Sequence, residues 1–184
     1  MKLLVLLNPQ AHGGRAGREH AVLQQKLRAH ALEAQVELTT GPGAARERVA
    51  RLEPGQFDVV VAAGGDGTLF EVVNGLMDQA PQHRAALAVL PMGTGNAFAR
   101  ELGLAPGAVD RAIGLLKAGS AGRIDVAQVT TATEHFHFIN MLGLGLVTEA
   151  ARTAVRFKWL GRGAYTLGAL SALIVEGQGE TGKW

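Results

Sequence analysis

Residues 58–77 read DVVVAAGGDGTLFEVVNGLM. Asp58–Ala63 has the pattern of a buried strand, and Leu69–Met77 that of a helix. Between them lies the polar loop Gly64-Gly65-Asp66-Gly67-Thr68. A strand that runs through a glycine loop into a helix is the unit from which parallel α/β sheets are built.

The same alternation extends outward. Lys2–Leu7 is a continuous apolar run, as expected of a strand buried on both faces. Arg15–Leu32 carries Val22, Leu23, Leu27 and Ala31 at helical spacing. Gln35–Thr39 reads as a strand. Ala44–Leu52 reads as a charged helix after the turn Gly41-Pro42-Gly43. Leu87–Leu90 is a fourth strand stopped by Pro91, followed by helices over Ala97–Leu102 and Ala108–Lys117. The expectation is an α/β fold: an open, parallel-rich sheet with helices on both faces.

The character changes near Gly119. Ile124–Val129 and His135–Met141 read as consecutive strands, and the polar connector Thr130–Glu134 suits an antiparallel hairpin. Leu146–Arg156 and Ala164–Val175 read as helices, and Glu176–Trp184 as loop. The expected division is residues 1–118 as one α/β domain and 119–184 as the start of a β-rich second domain.

Composition sets bounds on function. The chain has 184 residues, 47% hydrophobic and 18% charged, enough for a sizeable core. Lys and Arg exceed Asp and Glu by 18 to 16, a bias too small to imply nucleic-acid binding. Cysteine is absent, which excludes disulfides and thiolate chemistry and fits a reducing compartment. The apolar run Leu3–Leu7 is too short for a signal peptide, and Ala164–Val175 too short to span a bilayer. A cytoplasmic protein is expected, and the oligomeric state stays open.

Glycine is abundant, 25 residues, and much of it follows strands. The loops are Asn8–Gly14, Gly64–Thr68 and Pro91–Asn96, each placed between a strand and a helix. Glycine there permits positive φ and close approach of a ligand, and free N–H groups at a helix start bind phosphate. Turn formation alone also explains such glycines. Thr68-Leu69-Phe70-Glu71 matches a capping box, and Asn96 suits a plain N-cap. Asp66 discriminates. A carboxylate beside a phosphate loop repels phosphate unless a cation or a hydroxyl proton lies there. Asp66 is therefore a candidate Mg²⁺ contact or base for an acceptor hydroxyl. No Walker A motif and no G-x-G-x-x-G after the first strand is present.

Asn8-Pro9, Gly64–Thr68 with Glu71-Val72-Val73-Asn74-Gly75-Leu76, and Pro91–Asn96 with Phe98-Ala99-Arg100 resemble the diacylglycerol kinase / sphingosine kinase catalytic domain. Arg123–Val126 and Phe138-Ile139-Asn140 fit the entry to that family's second domain. The core is similar to that of NAD kinases and phosphofructokinases. The resemblance implies ATP-dependent phosphoryl transfer to a lipid hydroxyl with Mg²⁺. It implies nucleotide contacts from Asn8, Thr40, Gly64, Gly65, Asp66, Gly67, Thr68, Leu69, Phe70, Gly93, Thr94 and Gly95. Glu71, Asn74, Asn96 and Arg100 are candidates for supporting roles.

The sequence departs from the family in two places. Ala97 stands where many bacterial members have Asp, which leaves acceptor specificity open. No Asp-Gly-Glu motif, the family's second-domain base, occurs. That points to a truncated or degenerate chain, and leaves Asp66 as the catalytic candidate. The alternatives are an NAD kinase-like phosphotransferase and an inactive nucleotide-binding fragment. His135 and His137 share a strand face, where solvation is expected rather than a metal pair. Arg152, Arg156, Lys158 and Arg162 surround Phe157 and Trp159, a pattern that fits either solvated charges around core aromatics or peripheral contact with an anionic membrane.

Overall fold

A computed structural model describes residues 1–10, 16–119 and 121–140, and their side chains except those of 16–18. The expectations for Gly13, Gly14, Arg15 and residues 141–184, including the basic aromatic stretch, fall outside the described residues.

Four strands form one sheet: β1 (Lys2–Leu7), β2 (Glu33–Leu38), β3 (Val59–Gly64) and β4 (Ala86–Pro91). Their order is β2-β1-β3-β4, and all the pairings are parallel. Helices α1 (Ala16–Ala29), α2 (Ala44–Ala50), α3 (Asp66–Met77), α4 (Ala97–Glu101) and α5 (Val109–Ala118) connect and follow them. Strands β5 (Ala127–Thr130) and β6 (His135–Phe138) form the expected antiparallel hairpin. The hairpin starts three residues later than expected, and Ile124 and Val126 before it are exposed. Residues Met1–Asn140 make up one compact unit.

Alternation along β1 explains the two covered faces. Leu3, Val5 and Leu7 pack with Val59, Val61 and Ala63 of β3, with Leu23 and Leu27 of α1, and with Ile113 of α5. Leu4 and Leu6 point the other way, against Val60 and Ala62, Val49 of α2 and Val72, Val73 and Leu76 of α3. A strand with apolar residues at both parities needs a layer on each side, so the continuous apolar runs demanded this architecture.

Register brings the strand ends level. Leu7 pairs with Leu38 and with Ala63, and Gly64 pairs with Pro91. The loops after the four strands therefore emerge on one edge. Between β1 and β3 the connections diverge to opposite sides of the sheet, and such a switch point opens a crevice.

Two expectations need correction. The helix expected at Leu69 begins at Asp66, so Asp66, Gly67 and Thr68 are its first turn and not loop. Of the positive φ and close approach that glycine permits, the Gly64–Thr68 and Pro91–Asn96 loops use the second: among the described residues positive-φ glycines are Gly43, Gly55, Gly103, Gly107 and Gly119. Close packing is what Gly64, Gly65, Gly93 and Gly95 provide. A Cβ on Gly93 would run into the Gly65 Cα and come within 2.8 Å of the Gly65 N.

Candidate nucleotide site

The start of α3 lies at the switch point. Its N-cap is Gly65, which has no side chain to cap the helix. The first N–H groups of a helix have no intrahelical acceptor. Thr68 and Glu71 do not form the capping box that their spacing suggested. Thr68 is already inside the first turn, buried, and its Oγ1 accepts a hydrogen bond from Asn8 Nδ2 at 3.2 Å. Asn8 Oδ1 in turn accepts from the Gln10 N–H at 2.8 Å, holding the loop after β1. This pair bridges the crevice between β1 and β3.

Asp66 ties the third loop to the fourth. Its Oδ1 accepts the N–H of Ala97, the first residue of α4, at 2.8 Å. Its Oδ2 approaches Gly95 so closely that a Cβ there would lie 2.7 Å away. Asn96 occupies the N-cap position of α4 but does not cap it. Its backbone is left-handed (φ 52°), and its side chain turns back on Gly93, accepting from its N–H at 3.1 Å and donating to its carbonyl at 2.6 Å. Asp66 supplies the cap that Asn96 does not.

Gly64 and Gly93 are buried, and Gly65 and Gly95 half-buried beside them. Gly67, Thr94 and Thr40 are exposed on the same edge. Leu69 points into the core, whereas Phe70 is 42% exposed. Arg100, on α4, is exposed. A small cavity of about 10 Å³ lies between Gly65, Asp66 and Asn96, room for about one water.

Two supporting candidates bind backbone outside the Gly64–Thr68 and Pro91–Asn96 loops. Glu71 reaches the start of α2, accepting the Gly43 N–H at 2.9 Å and the Ala45 N–H at 3.1 Å. Asn74 faces β6. Sequence reading missed both partners, because 26 to 63 residues separate them and the groups contacted are backbone. His137 corrects another expectation: it is buried, 8% exposed, and not on a solvated strand face. Burial holds its imidazole below the usual histidine range, with neighbouring His135 adding to the effect. At the far end of α3, hydrogen bonds from Arg46 hold the Asp78 carboxyl below the usual carboxylate range.

The family model described as the diacylglycerol kinase catalytic domain matches residues 2–129. The chain belongs to that family. It is similar to the diacylglycerol kinase of Bacillus subtilis strain 168, 37% identical over 79% of this chain and 46% of the relative. Similarity also extends to sphingosine kinase 2 of Arabidopsis thaliana, 30% identical over 94% of this chain and 37% of that one. A crystal structure of a diacylglycerol kinase from Bacillus anthracis str. Sterne superposes with a TM-score of 0.66 at 28% identity. It covers 85% of this chain and 53% of that one. The chain thus spans less than half the length of these two curated relatives. The lipid kinase family and its α/β core agree with the expectation from the sequence. Among the described residues, no helix is long and apolar enough to cross a membrane.

Proposed function

We propose that this chain carries the nucleotide-binding part of an ATP-dependent lipid kinase, which transfers the γ-phosphoryl group to a hydroxyl of a diacylglycerol- or sphingosine-class lipid. The observation that carries the reading is the start of α3. It stands uncapped at the switch point, beside the carboxylate of Asp66, with Asn8 and Asp66 drawing the neighbouring loops around it. N–H groups there and the helix dipole favour phosphate. Gly64, Gly65, Gly67, Thr68, Gly93, Thr94 and Gly95 line the phosphates, and Thr40 contacts the nucleotide from the next loop.

Among the described residues, no group of three or more His, Asp or Glu side chains could cage a metal. A lone carboxylate such as Asp66 beside a phosphate site suits Mg²⁺, which is usually held by one or two carboxylates and by the substrate phosphates. Asp66 is the residue that would hold it, and the ion would supply neutralisation of phosphate charge. The alternative role for Asp66 is as the base that takes the acceptor proton. The rest of catalysis is positioning, as expected when phosphoryl transfer needs little covalent chemistry from the protein. Residues 1–118 form the nucleotide domain in this reading and 119–184 belong to the lipid-cleft domain. A cytoplasmic protein meeting its lipid at an anionic bilayer surface is part of the same reading.

The test is turnover of labelled ATP by the chain with diacylglycerol vesicles, sphingosine vesicles or NAD. Asp66→Asn keeps an oxygen for the Ala97 N–H and removes the charge. It should lower turnover by about 10²–10⁴-fold while ATP binding persists. An unchanged rate removes Asp66 from the chemistry. Phosphorylation of NAD alone makes the acceptor assignment wrong, and ATP binding without any turnover leaves a nucleotide-binding fragment.

A further inference from the structure

The side chain of Asn74 is fully buried, 0% exposed, in the middle of α3. Its amide is spent on backbone. Nδ2 donates to the carbonyl of Phe70 and to that of His137, both at 2.9 Å. Oδ1 accepts the N–H of His137 at 2.8 Å. One side chain thus satisfies both backbone groups of a single strand residue, as a neighbouring strand would. His137 pairs across the hairpin with Gln128. The amide contacts therefore act as a substitute strand for β6.

A two-stranded hairpin is at best marginally stable alone. β5 is largely exposed, so docking on α3 is what orders the pair. The dock has an apolar component as well. Ile139 packs on the cluster that contains Val72 and Val73, and Phe136 meets Phe70 with ring centroids 6.0 Å apart. Phe70 belongs to the opening part of α3, close to the proposed phosphate site. Asn74 and Asp66 are eight residues apart on one helix, about 12 Å along its axis. A helix of this length is stiff, so the hairpin's placement and the phosphate site share one rigid part.

We infer that Asn74 is a positioning residue, which sets the hairpin against the phosphate-binding helix and thereby aligns the acceptor side with the nucleotide. This inference rests on the functional reading above. A purely structural amide would change stability alone. A positioning amide changes acceptor binding while leaving the nucleotide site intact.

The experiment combines amide hydrogen exchange with two binding titrations on the chain. In the wild type, the His137 amide should be protected although it lies on an outer edge of the hairpin; free exchange there overturns the clamp without any variant. Asn74→Leu and Asn74→Ala remove both contacts. Each should speed His137 exchange by about 30-fold. Affinity for phosphatidylcholine vesicles carrying diacylglycerol or sphingosine should fall by roughly tenfold, with ATP affinity changed by less than about twofold. Unchanged vesicle affinity, or equal losses for ATP and vesicles, overturns the positioning role. Wild-type chain that binds neither ATP nor vesicles refutes the functional reading and removes the positioning role with it. Protected His137 would then report a packing contact only.

Discussion

Strands β1 and β5 lie in the same compact unit and meet opposite surroundings. Five of the six residues of β1 are buried, whereas Ala127, Gln128 and Thr130 of β5 are exposed. The sheet is held by apolar contact on two faces, a force without direction that many substitutions weaken gradually. Two directional bonds from one amide help to hold the hairpin, and those bonds either form or do not. The difference teaches where each kind of failure should show. Loss of apolar burial in the sheet should unfold the unit. Loss of polar contacts at the hairpin should release one element and leave the sheet standing.

The largest effect is expected in the sheet. Leu4→Ala, at a fully buried position, should cost about 2–5 kcal/mol in urea unfolding and lower the stability of the whole unit. A loss confined to the hairpin amides would break the comparison. Next comes the loop edge, where Gly93→Ala forces a methyl group into the Gly65 backbone. It should cost about 1–3 kcal/mol and weaken ATP binding measured by titration. If both stability and ATP affinity are unchanged, the loops are not packed as tightly as described.

The smallest effect is acid sensitivity of the hairpin. His137 is surrounded by His135, Asp78, Arg84 and Arg46, and burial favours its neutral form. Its folded pKa lies below the unfolded value of 6.5. The unfolded or undocked form therefore takes up the proton first. Stability falls as pH drops below about 6.5, and levels off once the folded form is protonated as well. Exchange of the hairpin amides should quicken over that window, and His137→Gln should flatten the response. A response identical in the variant assigns the acid sensitivity to another group.

Much of the site was legible because its signals are local. Gly64–Thr68 follows a strand and enters a helix, and that order alone put Asp66 and the glycines at a strand's carboxyl end. The same local reasoning failed at Thr68, Glu71 and Asn96. Each matches a capping pattern, but each side chain binds a partner other than the helix start suggested by its own spacing. Thr68 meets Asn8, Glu71 meets Gly43 and Ala45, and Asn96 meets Gly93. A capping pattern records which bonds a side chain can make. It does not record which acceptors and donors a folded neighbour brings within reach.

His137 shows the same limit on a different scale. Alternation placed it on one strand face with His135, and their rings do stand 6.2 Å apart. Alternation could not tell that one of the two would be covered by α3. The sequence alone determined the two-faced sheet, because apolar residues at both parities of β1 and β3 leave no stable arrangement with a bare face. It also determined the edge on which the glycine loops lie, since chain direction fixes that in a parallel sheet. Tertiary structure decided which backbone group each polar side chain of α3 would satisfy. Those partners lie up to 63 residues away, and hydrogen bonds act only over a few ångströms.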